Sequence, residues 1–134
     1  ALVAAGSLAF EDAVCLVHKR GKFMQNAVAA GTGKMVAVLG KETSEIEAAL
    51  SRVSTGVAEI ANINSPGQIV VAGDVAGVNA FMSEMAGAKM TELVVSAPFH
   101  CSLMKPAEEA LRKELASVKI SRPKFPIYAN VTAA

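Results

Sequence analysis

The sequence is poor in cysteine, in histidine, in charge imbalance and in long apolar runs. Its 134 residues hold two cysteines, Cys15 and Cys101. That is too few for the bridged framework of a small secreted scaffold, and reduced thiols are the simpler reading. Thirteen basic residues against twelve acidic give a formal net charge of +1. No broad basic field draws the chain to nucleic acid. No apolar run approaches the roughly 18 residues of a membrane span. Two histidines and two scattered cysteines give no zinc spacing. There is no phosphate-binding loop, no dinucleotide fingerprint and no serine in a Gly-x-Ser-x-Gly elbow. What is present is 52% apolar and 19% charged residues, a balance that excludes disorder. The length suits one domain or part of a larger one, and it can bury a core without disulfides.

The two ends read alike. Ala1 to Ala5 is apolar without the basic leader of a signal peptide, and reads as the middle of a buried element. Ile127 to Val131, flanked by Pro123 and Pro126, reads as a buried strand. Both ends suggest a piece of a larger protein. Processing of a longer chain and partial coverage fit equally well.

Between them, hydrophobic periodicity predicts a helix from Phe10 to Ala27, with Phe10, Ala13, Val14, Val17, Gly21 and Met24 on its apolar face. A short apolar strand follows at Met35 to Leu39. A helix over Thr43 to Val53 buries Ile46, Ala49, Leu50 and Val53, with Thr43 as its cap. Strands at Val57 to Ile63 and Gln68 to Ala72 flank an Asn64-Ser65-Pro66-Gly67 turn and form a hairpin. Asp74 caps a helix reaching Ala86, with Val78, Phe81, Met82 and Met85 inward. A strand runs from Met90 to Val95. The order over Met35 to Val95 is β-α-β-β-α-β, the ferredoxin-like arrangement. A last helix spans Ser102 to Val118, with Leu103, Ala107, Ala110, Leu111 and Leu115 buried. Lys105–Glu109 and Glu108–Arg112 are spaced for surface pairs. The fold class is therefore α/β: a small inserted subdomain between two pieces of something else.

Arg20 is the first unusual residue. On its helix it borders the apolar face, where a guanidinium either snorkels to solvent, pairs with a structural anion, or grips a substrate carboxylate or phosphate. His100 is the second. It follows Pro98-Phe99 at the end of a strand and precedes a helix, where it serves either as a general base or as a cap or packed residue. His18 lies on the polar stripe beside Lys19 and Lys22 and reads as surface. Cys101, Ser96 and Ser102 give His100 no well-placed nucleophile. Asn62, polar within an apolar strand, is a candidate to face a pocket.

The blocks Leu2–Leu8, Arg20–Gln25 (RGKFMQ), Gly33–Met35, Asn62–Gln68 (NINSPGQ), Val70–Gly73, Pro98–Met104 (PFHCSLM) and Ile127–Asn130 occur nearly end to end. In that order they resemble the malonyl-CoA:acyl-carrier-protein transacylases of fatty-acid synthesis, a family that includes the acyltransferase domains of polyketide synthases. The resemblance implies an α/β-hydrolase-like core carrying a ferredoxin-like insert. Residues 1–33 and 97–134 would belong to the core and 34–96 to the insert. It implies ping-pong transfer: a serine takes malonyl from coenzyme A and passes it to the phosphopantetheine thiol of acyl carrier protein. It implies His100 as the base, Arg20 as the clamp on the malonyl carboxylate, Met24 as pocket wall and Asn64 as an ordering residue. Phe99 would narrow the space at the acyl α-carbon.

The serine elbow of that family would end just before Ala1. The glutamine loop of its oxyanion hole and its carboxy-terminal stretch are not in these residues. The expectation is that this piece alone does not turn over. Two other readings stay open: a polyketide-synthase domain of different acyl selectivity, and a non-catalytic carrier-docking module. Arg20 speaks against acetyl and Phe99 mildly against methylmalonyl. Reduced thiols and the absence of visible linkers make a free-standing, cytoplasmic bacterial enzyme the simplest reading, with a mitochondrial or plastid homologue as the alternative, and the resemblance implies a monomer. It would need no cofactor of its own, malonyl-CoA being a substrate, and would bind no nucleic acid or membrane.

Overall fold

A computed structural model describes residues 1–129 of the chain. The elements run α1 (Phe10–Asn26), β1 (Gly33–Leu39), α2 (Thr43–Leu50), β2 (Ala58–Ser65), β3 (Gln68–Asp74), α3 (Val75–Glu84), β4 (Lys89–Glu92), a 3-10 turn (Ser102–Met104) and α4 (Lys105–Ala116). The four strands form one antiparallel sheet in the order β2-β3-β1-β4. The β-α-β-β-α-β order read from the sequence is the order observed.

One face of the sheet carries the main core. Val36, Val38, Ile69 and Val71 project onto Ile46 and Ala49 of α2 and onto Val78, Phe81 and Met85 at α3. Each large side chain buried there contributes roughly 1.5–3 kcal/mol. The opposite face holds Met35, Val70, Ala72 and Cys101, with Phe99 and Leu103 packed against them. This second cluster joins the sheet to the segment that carries His100.

Element ends differ from expectation for local reasons. The cap of α2 is Glu42, not Thr43: the Glu45 carboxylate accepts the Glu42 N–H at 2.9 Å, half of a capping box. Helix α2 stops at Leu50 because Arg52 and Val53 turn back onto the third residue before them rather than the fourth. Asp74 caps α3 as expected, accepting the Gly77 N–H at 2.7 Å, and also takes the Val57 N–H at 2.8 Å. The hairpin turn is Ser65-Pro66-Gly67-Gln68, one residue later than expected. Pro66 and Gly67 (φ 71°) occupy its two central positions, and Asn64 falls at a β-bulge inside β2.

Strand β4 ends at Glu92 rather than Val95. Its last tie is the Leu93 N–H to the Met35 carbonyl at 3.0 Å, after which Val94 projects fully into solvent. Helix α4 begins at Lys105 rather than Ser102. Pro106 lacks the N–H that a longer helix would need there, so the chain winds first as a 3-10 turn.

Expectations of burial are corrected at Leu115 of α4, which is exposed, at α1 and at the amino-terminal residues. Only Leu16 of α1 is buried, where the helix packs on α4. Phe10, Val14 and Val17 are 66%, 52% and 68% exposed, because no described element lies over that face. Ala1 to Ala5 forms a single turn with only Ala5 buried. Ile127 to Ala129 pairs with no described strand, and Asn130 and Val131 lie outside the described residues. Among the described residues no helix is long and apolar enough to cross a membrane.

Candidate active site

Helices α1 and α4 lie side by side, and α4 is reached through the His100 segment. A recess of about 230 Å³ opens between them. Arg20 and Met24 of α1 line one side, Ala107, Glu108 and Leu111 of α4 the other, with His100 and Met104 between. The spacing of Arg20 and Met24, one helical turn apart, puts both on the same wall. An adjoining recess of about 400 Å³ shares Arg20, Met24 and His100 and adds Ser96 and Phe99. The structure thus brings together four of the residues singled out in the sequence. Asn64 lies exposed on β2 and lines neither recess. Asn62 lines neither, although its Oδ1 is buried with no hydrogen-bond partner among the described residues.

A larger, mostly apolar recess of about 760 Å³ covers the outer face of α1 around Phe10, Val14 and Val17. His18 is the one side chain there with acid–base capacity, and it is exposed.

The electrostatics of the first recess favour an anionic guest. Arg20 makes no ion pair among the described residues. Glu108 shares the recess but is engaged elsewhere. Arg112 donates to it at 2.6 Å and Lys105 at 3.1 Å, where Glu109 had been expected to pair with Lys105. The hydrogen bond from Arg112, with that from Lys105, holds the Glu108 carboxyl below the usual carboxylate range. Its charge is therefore present near neutral pH but already answered, leaving Arg20 exposed and unpaired. An unpaired guanidinium over an apolar floor offers a fork that fits a carboxylate or phosphate.

His100 is held in an unusual backbone. Its φ is 61°, the one positive value at a non-glycine residue among those described. Histidine enters this left-handed region more readily than most residues, though still at a cost. Its neighbours are fixed. Pro98 is fully buried, the Cys101 thiol donates to the Pro98 carbonyl at 3.1 Å, and the Met104 N–H donates to the Cys101 carbonyl at 3.0 Å. Burial pushes the Cys101 thiol up, which makes it a packing residue and not a nucleophile. Glu59 of β2 accepts both the N–H and the hydroxyl of Ser102, at 2.7 and 2.6 Å.

Ala107 and Leu111 belong to the helix stripe read from the sequence; Met104, which that reading did not include, precedes them at helical spacing, and this spacing places the three together on the recess wall. Glu59 carried no sequence signal, since its partner lies 43 residues away. No group of three or more potential metal-ligating side chains occurs among the described residues.

The chain is similar to known proteins over its whole length. The model of the acyl transferase domain family matches residues 1–134. The malonyl CoA-acyl carrier protein transacylase of Bacillus subtilis is 45% identical across 99% of this chain, which spans 44% of that protein. The crystal structure of the corresponding transacylase from Clostridium perfringens superposes with a TM-score of 0.92 at 44% identity, over 98% of this chain and 42% of that one. A malonyl-transacylase solved in complex with its type II polyketide acyl-carrier protein superposes with a TM-score of 0.94 at 40% identity, over all of this chain and 45% of that one. The chain thus spans less than half the length of the relatives it matches, and it belongs to the acyl transferase domain family.

Proposed function

We propose that this chain is the part of a malonyl-CoA:acyl-carrier-protein transacylase that supplies the general base and the carboxylate clamp. The observation that carries the reading is one recess lined by both His100 and the unpaired Arg20. The remainder of the protein would supply the nucleophilic serine and complete the oxyanion hole. His100 would take the serine proton as the serine attacks the malonyl thioester, then return it to the departing coenzyme A thiolate. It would next deprotonate the carrier's phosphopantetheine thiol, which attacks the malonyl-serine ester, and return that proton to the serine oxygen as the ester bond breaks. This thioester exchange is redox-neutral, and the carrier brings its own prosthetic arm. Arg20 would hold the free carboxylate of malonyl throughout, with Met24 as pocket wall. Phe99, half-buried in the adjoining recess, would leave little room for a branch at the α-carbon.

In this reading residues 34–96 form the ferredoxin-like small subdomain, and residues 1–33 and 97–134 are parts of an α/β-hydrolase-like core. The sheet order and two helices on one face support the first; the packing of α1 on α4 supports the second. The enzyme would act as a cytoplasmic monomer on an acyl carrier protein. Asn64, exposed on β2, lies outside this recess.

The test is malonyl transfer from malonyl-CoA to carrier protein by the full-length protein. His100→Ala is expected to lower the rate by about 10²–10⁴. The 134 residues alone are expected to be inactive. Full activity of His100→Ala would overturn the reading.

A further inference from the structure

Glu59 and Ser102 form a two-point link between the sheet and the segment that carries His100. Oε2 accepts the Ser102 N–H at 2.7 Å and Oε1 accepts the Ser102 hydroxyl at 2.6 Å, so one carboxylate grips one residue with both oxygens. The Ser102 N–H opens the 3-10 turn that leads into α4, and N–H groups at the start of a helix have no acceptor within it. A carboxylate at that end meets the positive end of the aligned peptide dipoles, and charge-assisted hydrogen bonds are the strong ones.

The link lies two residues after His100, whose backbone sits in the left-handed region. Such a conformation persists when its surroundings over-determine it. The other hydrogen bonds near it, Phe99 to Ala97, Cys101 to Pro98 and Met104 to Cys101, all stay within the same stretch of chain. They fix its shape but not its place. Among the described residues, Glu59 provides the polar tie that fastens this stretch to β2.

We infer that Glu59 is a positioning residue for His100, acting through Ser102. This rests on the reading of His100 as the base. By holding Ser102 at two points, Glu59 fixes where the chain leaves the left-handed turn and so where the imidazole enters the recess. Loss of the link leaves only non-directional apolar packing to place the segment on the sheet, and displacements of about 1 Å in a reacting group cost up to about 100-fold in rate.

The experiment uses the full-length protein and compares Glu59→Ala, Glu59→Gln, Ser102→Ala and His100→Ala in malonyl transfer. Glu59→Ala is expected to lower kcat by roughly 10- to 100-fold while KM for malonyl-CoA stays within about threefold, because Arg20 is untouched. Glu59→Gln keeps an acceptor for the Ser102 N–H and an amide that can donate to the hydroxyl, so it should recover most of the loss. Ser102→Ala keeps the backbone half of the link and should fall between. A folded Glu59→Ala enzyme with wild-type kcat overturns the inference, and so does one whose only change is a lower thermal midpoint. Should Glu59→Ala not fold, Glu59→Gln and Ser102→Ala decide in the same way: wild-type kcat in Ser102→Ala, or a Gln variant as slow as a misfolded one, overturns it. An inactive His100→Ala beside an active Glu59→Ala removes this inference alone. An active His100→Ala removes the reading on which it rests.

Discussion

Gly33, the first residue of β1, lies directly against Pro98, and a β-carbon on Gly33 would overlap the proline ring and come within 2.9 Å of its backbone nitrogen. Pro98 is fully buried and stands two residues before His100. The Gly33→Ala substitution must therefore push the His100 segment off the sheet. Overpacking of this kind costs about 1–3 kcal/mol. The Gly21→Ala substitution, in open space on α1, should instead gain roughly 0.5–1 kcal/mol from helix propensity. Urea unfolding of the two variants should move the midpoint in opposite directions.

Arg20→Ala removes the one unpaired cation on the recess wall. Hydrogen bonds to charged groups contribute about 1.5–3 kcal/mol, so kcat/KM for malonyl-CoA should fall roughly 10- to 100-fold. Transfer of an uncharged acetyl group should fall far less. The ratio of the two rates reads the effect, and an unchanged ratio refutes the clamp. Arg20→Lys, which keeps the charge but loses the fork, should recover only part of the loss.

Asp74 stitches two backbone segments together, taking the Gly77 N–H on one oxygen and the Val57 N–H on the other. Asp74→Ala should cost about 1–2 kcal/mol, the range for losing a helix cap. Asp74→Asn keeps one acceptor and should cost less. Hydrogen exchange at Val57 and Gly77 should quicken together in the alanine variant, and separate behaviour would show that the two bonds are independent.

The two cysteines should respond differently to alkali. Cys15 is exposed; burial raises the pKa of Cys101 above the usual thiol range, so its thiol keeps its proton to higher pH. At mildly alkaline pH an alkylating reagent should modify Cys15 at least about tenfold faster than Cys101. Linkage has a definite sign here. The folded state keeps the Cys101 proton more tightly than the unfolded chain does. Its contribution is complete below the ordinary thiol range and is lost as pH climbs from there through the raised value. Cys101→Ala should flatten that alkaline decline.

Periodicity carried the helices and strands because their faces are set by local spacing. Val78, Phe81 and Met85 could be placed from sequence alone, and so could the cap at Asp74. The burial of α1 could not. Its apolar stripe of Phe10, Val14 and Val17 is as regular as that of α3, yet it is exposed because burial depends on what lies opposite. The residues of the recess were legible one by one, Arg20 by its place at the edge of an apolar face and His100 by its place between strand and helix. Their convergence was not legible in periodicity or spacing, because it depends on the packing of α1 on α4; only the family resemblance implied it. Glu59 and Gly33 were invisible for the same reason. Each matters through a partner far along the chain, Ser102 for one and Pro98 for the other.

The tie between Leu93 and Met35 bears on how such proteins change over evolutionary time. The sheet unit is entered at β1 and left at β4, and these strands are neighbours, paired from Val36 to Leu39 and tied once more at Met35. Its two points of attachment thus lie side by side. A replacement for a segment with that geometry must present two adjacent strand ends to the same seam and an apolar face to the stretch that carries His100.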